Sequence, residues 1–452
     1  MNRPVVNPIL RASPRFRHFW LARLLSHTAQ NAILLALLVT VVNQTGSTIH
    51  SSLLVLTFVV PAALLGIPGG VIVDRLPKRE VLVTTGLFRT AVSLLFLRAG
   101  GGVLAIYLTN LAIALITQLA SPAESAALLA LVPPAQVVAA TAGLNLEVVL
   151  SQVLGTVLLA PLLVKTVGLR PLFVLTGASF LAASLLYARL PGIGNEPPRP
   201  EAEAGEGETP AKLKGMRAAV AACWRLVRSD REILVSVIEQ TLVASTVVVL
   251  VSIVPIYTRA VLHLPAEYSV AVFSPAAIGM FLALRLVPDL AKRIAKPRLV
   301  SSGFAGFVVL LALLGFNQET VLLLRTHDPL LVLGLHTPAA LFSSTALAAV
   351  LSGPLGFVYG QVLVAARAIL YERVPLNMQG RVFAFQGVLG NVGSILPLIL
   401  VGVVAYWLGP RAVLVLVALV NIAAAWYALR LTPPRGPAPA LVGGPDDAST
   451  AT

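Results

Sequence analysis

Long apolar segments separated by short polar stretches follow one another along almost the whole chain. A run of 18 or more apolar residues is typical of a membrane-spanning helix, whereas the strands of a membrane barrel alternate apolar and polar positions. The pattern predicts an all-α integral membrane protein with twelve transmembrane helices, near residues 20–42, 52–73, 81–98, 103–121, 141–164, 171–190, 233–256, 270–288, 299–316, 340–365, 383–405 and 411–431.

The longest polar break divides these spans into two groups of six, which predicts two six-helix repeats. Pro197 to Pro210 is rich in Pro, Glu and Gly, a composition that predicts flexibility. A basic amphipathic stretch follows and suits an anionic membrane surface. We therefore predict an N-terminal half at 1–190, a cytoplasmic linker at 191–231, a C-terminal half at 232–431 and a cytoplasmic tail at 432–452.

The charge distribution supports the same layout. Charged residues make up 12% of the chain, about half of what a soluble protein carries, and the net charge is +14. In a soluble protein this excess would suggest nucleic acid, but in a membrane protein it marks cytoplasmic loops, so we expect no nucleic-acid partner. With a cytoplasmic N-terminus, the outer segments contain few of the 33 basic residues, namely Arg98, Lys165, Arg170, Arg259, Arg325 and Arg411. Both termini are thus predicted on the cytoplasmic side of the cell membrane.

One outer segment, residues 317–339, is apolar in part but is interrupted by charged residues and Pro329. We predict a loop there rather than a further span. His327, Asp328 and His336 share this segment without a recognisable metal-ligand spacing. No metal is therefore expected.

The loop between the second and third spans carries the most specific motif in the sequence. Gly70 is followed after three residues by Asp74 and Arg75, and then after two more by Lys78 and Arg79. This arrangement resembles the signature loop of the major facilitator superfamily, position by position. The glycine that usually precedes the basic pair is replaced by Pro77.

Shorter motifs resemble one bacterial exporter branch of that superfamily, which includes siderophore exporters and macrolide-type drug efflux proteins. They are Ser121-Pro-Ala, Leu131-Val-Pro133 and Ala139-Ala140 before the fifth span, and Val374-Pro375 with Gly380 to Phe383 before the eleventh. Glu124 stands where the branch usually has a basic residue. At the level of the fold, the resemblance covers about residues 17–431.

The resemblance implies a gating role for the signature loop. Asp74 would face the start of the eleventh span near Arg381, where unpaired backbone amides favour a carboxylate. Arg75, Lys78 and Arg79 would hold nearby carboxylates, with Glu124 as a candidate. The alternative interpretation is that these residues form only a basic loop that sets the orientation of the chain in the membrane.

Three charged residues within predicted spans are candidates for proton coupling, because a charge in mid-membrane costs about 2.5–3.5 kcal/mol on insertion scales. Glu239 is the only ionisable residue of its span between Ile233 and Ile256, and burial among apolar neighbours disfavours its charged form. Glu147 is the next candidate. Arg89 is interpreted as a partner of a carboxylate, with Glu147 as the candidate.

Uncharged polar residues in the spans are candidates for lining a substrate cavity, since the resemblance implies a central cavity lined by the spans that carry most of them. They are Gln30, Asn31, Gln118, Asn145, Gln152, Gln240, Gln361, Gln386 and Asn391. The alternative role for each residue is an interhelical hydrogen bond, which contributes about 0.6 kcal/mol to stability.

The sequence lacks a Gly-x-x-x-x-Gly-Lys-Ser/Thr phosphate loop and the common hydrolase motifs, so we expect neither ATP hydrolysis nor an enzyme, and no cofactor. The resemblance implies a secondary transporter, expected to export small amphiphilic molecules by alternating access with protons as the coupling ion. Its partners would be the lipid bilayer, the substrate and protons. The alternatives are a non-transporting membrane sensor or assembly protein, and a lipid flippase, each retaining the fold.

Overall fold

The first half of the chain forms six long helices. The computed structural model describes residues 13–74, 76–133, 136–166, 168–190, 221–326, 343–374 and 376–431, which are almost entirely helical. The helices are α1 Pro14–Thr45, α2 Thr48–Asp74, α3 Lys78–Arg98, α4 Val103–Leu131, α5 in three consecutive pieces Val137–Gln152, Val153–Leu159 and Ala160–Thr166, and α6 Leu169–Ala188.

The described part of the second half also contains six long helices, so the predicted twelve-helix architecture is confirmed. They are α7 Arg231–Ala260, α8 in the pieces Ala266–Tyr268, Ser269–Phe273 and Pro275–Leu290, α9 Lys296–Gly315, α10 Ser344–Arg373, and a helical stretch Leu376–Leu431. Gly409 interrupts this stretch with a φ of 82°, a conformation that favours glycine. The break separates α11 (376–408) from α12 (410–431).

Two regions outside the predicted spans contain helix in their described parts. The prediction of a loop at 317–339 is wrong for its first ten residues, which form the helix Asn317–Thr326. Residues 327–342, with His327, Asp328 and His336, lie outside the described residues. Within the predicted linker, residues 221–229 are helical and bury Cys223 and Val227, one turn apart, against α7, α10 and α11. The domain boundaries themselves stay a prediction.

Side-chain caps fix where three of the long helices begin. The Ser13 hydroxyl accepts from the Phe16 amide at the start of α1, and Ser343 accepts from Ala346 at the start of α10. Asp230 accepts from the backbone amides of Glu232 and Ile233 at the start of α7, which also places a carboxylate at the positive end of the helix dipole. Because α6 ends and α7 begins beside the linker, we call this end of the bundle the linker face and the other end the opposite face.

Glycines allow α8 and α10 to pack with their backbones in contact. A Cβ at Gly279 would collide with the carbonyl oxygen of Gly353, and one at Gly356 would collide with that of Ala276. A Cβ at Gly360 would lie 2.7 Å from the Cβ of Ala283. Such close approach gives the dispersion contacts that hold membrane helices together without a hydrophobic driving force. We call this contact, formed by Gly279 of α8 and by Gly356 and Gly360 of α10, the α8–α10 seam.

The two halves are joined by hydrogen bonds at the opposite face. The Thr48 hydroxyl donates to the carbonyl of Gly402 over 3.0 Å, the Asn43 amide donates to Glu267 over 3.0 Å, and Arg259 donates to the carbonyl of Val42 over 3.2 Å. We call these three bonds the opposite-face contacts. Nearer the linker face, added Cβ atoms at positions 387 and 390 of α11 would meet open space. The bundle is thus closed at the opposite face.

Candidate functional site

A cavity of about 270 Å³ lies between the two halves. Its wall is formed by α1 and α5 from the first half and by α7 to α10 from the second, and most of the lining side chains are aliphatic or aromatic. The polar groups come from Gln152, Thr156, Ser269, Ser274 and Tyr359. The volume is close to the lower end of the range for small-molecule pockets, about 300 Å³, and an apolar wall with few polar groups is typical of them.

Irregular helix segments supply much of this wall. Val153–Leu159 of α5 is π-helical, and its residues Val153, Thr156 and Val157 line the cavity. Gly155 turns the other way and packs on α1, where a Cβ would collide with the carbonyl oxygen of Thr28. A π-helical turn inside an α-helix is rare and is often found at functional sites.

A buried ionic cluster, formed by Arg23, His27, Glu124 and Glu147, lies toward the linker face of the first half. Arg23 joins both carboxylates, with 3.1 Å from Nη1 to Glu124 Oε2 and 3.1 Å from Nε to Glu147 Oε2. His27 lies between the same carboxylates, with 2.9 Å from Nδ1 to Glu147 Oε1 and 3.4 Å from Nε2 to Glu124 Oε2. The cluster ties α1 to α4 and α5.

Arg89 on α3 lies beside this cluster but does not pair with Glu147, so that predicted pairing is wrong. Its Nη1 donates to the Ser26 hydroxyl over 2.7 Å and its Nη2 donates to the Thr117 hydroxyl over 3.0 Å. The guanidinium also lies over the Phe180 ring at 5.6 Å. Glu147 is not available to Arg89 because Arg23 and His27 already hold it.

Glu124 does not serve the signature loop, so the predicted contact with the loop's basic residues is wrong for those that the structure describes. Besides Arg23 and His27, Glu124 accepts a hydrogen bond from the Tyr187 hydroxyl at 3.3 Å. Lys78 donates to the carbonyl of Val73 over 2.7 Å, and Arg79 donates to the carbonyl of Ala188. These two residues therefore hold the loop against the ends of α2 and α6.

The predicted gate contact involves groups that the structure does not describe. These are the side chains of Asp74 and Arg381 and the whole of Arg75. Gly70 is described, and a Cβ there would lie 4.0 Å from Pro122 of α4. Gly69 is tighter, since a Cβ would lie 2.6 Å from the carbonyl oxygen of Gln118. The glycines thus bring α2 close to α4.

Glu239 on α7 is buried, with 5% of its surface exposed. The hydroxyl of Ser301 on α9 lies 3.0 and 3.2 Å from the two carboxylate oxygens. Within the described part of the chain, this neutral hydroxyl is the polar partner found for it. Both helices also form the cavity wall, through Leu250 of α7 and Phe307 of α9. Leu250 is eleven residues, or three helical turns, from Glu239, so the two share one face of α7 about 16 Å apart.

The nine predicted cavity amides have different environments. Gln152 lines the cavity, and the side chain of Asn145 lies outside the described residues. Gln240 and Gln386 bond to each other over 2.5 Å and so join α7 to α11. Gln361 donates to the carbonyl of Leu299 over 2.9 Å, and Gln118 donates to its own helix. The other three, Gln30, Asn31 and Asn391, are half-buried.

Sequence reasoning missed Arg23 and His27 as site residues. Arg23 lies at the edge of the predicted first span (20–42), where a basic residue is ordinary, whereas α1 begins at Pro14 and places it well inside the helix. The available signal was their spacing of four residues, which puts a guanidinium and an imidazole on one face of a helix. Their partners are more than 100 residues away in sequence, so no local pattern identified them.

A family model described as Major Facilitator Superfamily matches residues 19–335 of the chain. The chain belongs to the major facilitator superfamily. Membership in this family of secondary transporters, together with the fold, indicates a multi-pass membrane transporter that moves small molecules, rather than an enzyme. No curated protein matches the sequence.

Solved structures with the same fold include several transporters. The crystal structure of a point mutant of the nucleoside transporter NupG has a TM-score of 0.70 at 13% identity and covers 92% of this chain and 99% of its own. A bacterial homologue of the human lysosomal transporter Spinster, inward-facing and unoccupied, has a TM-score of 0.64 at 16% identity, covering 92% and 97%. A bacterial homologue of the iron transporter ferroportin, inward-facing, has a TM-score of 0.58 at 16% identity, covering 91% and 98%. At these identities the likeness concerns the fold.

Proposed function

We propose that this superfamily member exports small amphiphilic compounds by alternating access and that protons drive it. The export direction is supported by the short motifs shared with the siderophore-exporter and macrolide-efflux branch. The amphiphilic substrate class is supported by the cavity, which combines an aliphatic and aromatic wall with the amide of Gln152 and a few hydroxyls. Amphiphiles bury their apolar part in such a wall while few polar groups orient them.

The observation that carries the coupling proposal is the environment of Glu239. A buried carboxylate without a cationic partner is costly when charged, so it favours binding a proton when water is excluded. Because α7 carries both Glu239 and part of the cavity wall, a movement of α7 between states would change the hydration of the carboxylate and the shape of the cavity together. Glu239 would then bind the proton in one state and release it in the other.

The orientation belongs to the same proposal. The linker face would be cytoplasmic, since the basic residues concentrate on the segments that lie there. A reporter that is active only on the outer side of the cell membrane would stay silent when it is fused after Thr452. An active reporter would place the linker face outside and reverse the direction of transport.

The test begins by finding a transported probe. A host without its own efflux pumps, with and without this gene, is challenged with a macrolide, ethidium and a hydroxamate siderophore. The compound whose toxicity the gene reduces is then used with purified protein in lipid vesicles. If no probe moves and fluorescent phospholipid crosses the bilayer instead, the protein is a lipid flippase. If neither moves, the transport proposal fails.

The decisive comparison is between uphill and downhill movement of that probe by Glu239→Gln. We expect the variant to lose accumulation against a gradient while it keeps downhill exchange, because the amide retains the shape of the side chain but cannot release a proton. The matched control is Glu80→Gln, which alters an exposed carboxylate in the first turn of α3. Normal uphill export by Glu239→Gln would contradict the coupling role.

A further inference from the structure

The position of His27 carries an inference beyond the proposed role of Glu239. Both ring nitrogens of His27 face carboxylate oxygens, Nδ1 toward Glu147 at 2.9 Å and Nε2 toward Glu124 at 3.4 Å. A neutral imidazole carries one N–H, so one of its nitrogens would present a lone pair to a carboxylate. The hydrogen bond at Nδ1 and the ion-pair contact at Nε2 are both favourable only when each nitrogen carries a proton. The geometry therefore fits the imidazolium form.

The charges on the surrounding helices fit the same form. Arg23 is one turn before His27 on α1, Glu124 comes from α4 and Glu147 from α5. Arg89 of α3 and the Tyr187 hydroxyl of α6 complete the surroundings, Tyr187 by donating to Glu124. With His27 protonated, the four residues of the ionic cluster hold two positive and two negative charges, and each carboxylate faces two cationic side chains. Without that proton, Arg23 is the one cation of the cluster in contact with both carboxylates, and the charge of Arg89 acts from beside them.

The cluster is more open to its surroundings at His27 than at its carboxylates. The side chain of His27 is 24% exposed, whereas those of Glu147 and Glu124 are 0% and 4% exposed. The imidazole is therefore the most accessible side chain of the cluster. Histidine suits the exchange of a proton because its charge changes at physiological pH.

We propose that His27 is a proton-binding site of the first half, held between Glu124 and Glu147 and separate from Glu239 in the second half. The protonated imidazole links α1 to α4 and α5. Loss of the proton removes one of the two links to these carboxylates and leaves Arg23 as the other. A role of this site in transport rests on the proposed proton-driven function, whereas the binding of a proton to His27 does not.

The first test measures that occupancy without any substrate. The full-length protein, with ¹⁵N-labelled histidines, is studied by nuclear magnetic resonance in lipid nanodiscs, and the His27 signals are assigned by their loss in His27→Gln. We expect two protonated ring nitrogens for His27 at about pH 7. A neutral ring with one protonated nitrogen would overturn the proposal. His50, which lies beside the Tyr107 hydroxyl at 2.7 Å, serves as an internal reference outside the cluster.

A second spectrum tests whether the carboxylates hold the proton. Glu147→Gln removes the charge that faces Nδ1 and keeps the shape of the side chain. We expect the imidazolium signals of His27 to be lost at about pH 7, because one of the two carboxylates that face the ring no longer carries a charge. Unchanged imidazolium signals would overturn the assigned partnership. Because this readout is spectroscopic, a failure of transport does not affect it.

The third test asks whether the proton leaves during transport. Purified protein in weakly buffered vesicles is mixed with the probe found above, and the protons released per probe bound are counted. We expect fewer protons from His27→Gln and also from His27→Lys, which keeps a positive charge but does not titrate in this range. His18→Gln, on the same helix, is the control and should match the wild type. Wild-type release by His27→Lys would show a fixed structural cation and overturn the exchange step.

Discussion

At the scale of single residues, the buried carboxylates are stabilised in two different ways. Glu124 and Glu147 share Arg23 and His27, whereas Glu239 meets a neutral hydroxyl. Burial of a paired charge is tolerated, but removal of one partner leaves the other charge uncompensated. We therefore propose that the same type of side chain is structural in α4 and α5 and exchanges a proton in α7.

Arg23→Met is expected to destabilise the protein strongly. Two carboxylates would lose their shared guanidinium, and breaking a buried pair costs about 3–5 kcal/mol. Thermal unfolding in detergent measures the effect, with Arg15→Met as the control because Arg15 is exposed on the same helix. Arg23→Lys should recover only part of the loss, since an ammonium lacks the planar fork that reaches both carboxylates. Equal unfolding temperatures for Arg23→Met and Arg15→Met would contradict the structural role of the cluster.

The sequence indicated which residues are unusual at this scale but not what they contact. The presence of Arg89, Glu147 and Glu239 in apolar spans was enough to mark them, because charges there are costly. The partner of Glu147 was predicted wrongly, since the choice between Arg89 and Arg23 depends on helix packing. Arg23 was not considered, because it lies at the edge of the predicted first span, where a basic residue is expected at the membrane surface, whereas α1 begins at Pro14.

At the scale of helices, the lengths of the apolar segments predicted the number and order of the helices well. The polar residues between these segments predicted the ends of the helices less well. The break between the last two spans was expected between 405 and 411, and the structure places it at Gly409. Helix α4 continues through Pro122 to Leu131, about ten residues beyond its predicted end. The helix Asn317–Thr326 was missed because it is too short and too polar to be recognised as a span. Helix formation outside the apolar core depends on local contacts that hydropathy does not measure.

The α8–α10 seam gives a prediction at the same scale. Gly356→Ala adds a methyl group where it would collide with the carbonyl oxygen of Ala276, so the two helices must separate. Overpacking of this kind typically costs about 1–3 kcal/mol. Gly387→Ala is the matched control, because its methyl group would meet open space on α11. Unfolding temperatures of the two variants check the prediction, which fails if Gly356→Ala is as stable as Gly387→Ala.

At the scale of the whole molecule, the signature loop is expected to control the exchange between states. In Asp74→Asn the carboxylate that would meet the start of α11 loses its charge but keeps its shape. The interaction of a charge with a helix terminus is worth about 0.3–2 kcal/mol, enough to shift two nearly balanced states. We therefore expect normal insertion into the membrane with severely reduced transport of the probe. Wild-type rates in Asp74→Asn would remove the gate role from this loop.

The opposite-face contacts supply a limited part of the free energy that keeps the two halves closed. Each of the three hydrogen bonds described there contributes about 0.5–1.5 kcal/mol net, or about 1.5–4.5 kcal/mol together, in addition to the packing of α2 against α11. That free energy corresponds to a factor of roughly ten to two thousand in the balance between the closed arrangement and its alternative. A substrate offsets these bonds when it binds the alternative more tightly than the closed arrangement by the same factor. The difference between its affinities for the two states therefore decides whether it drives the cycle, and a ligand that strongly prefers one state would hold the molecule there.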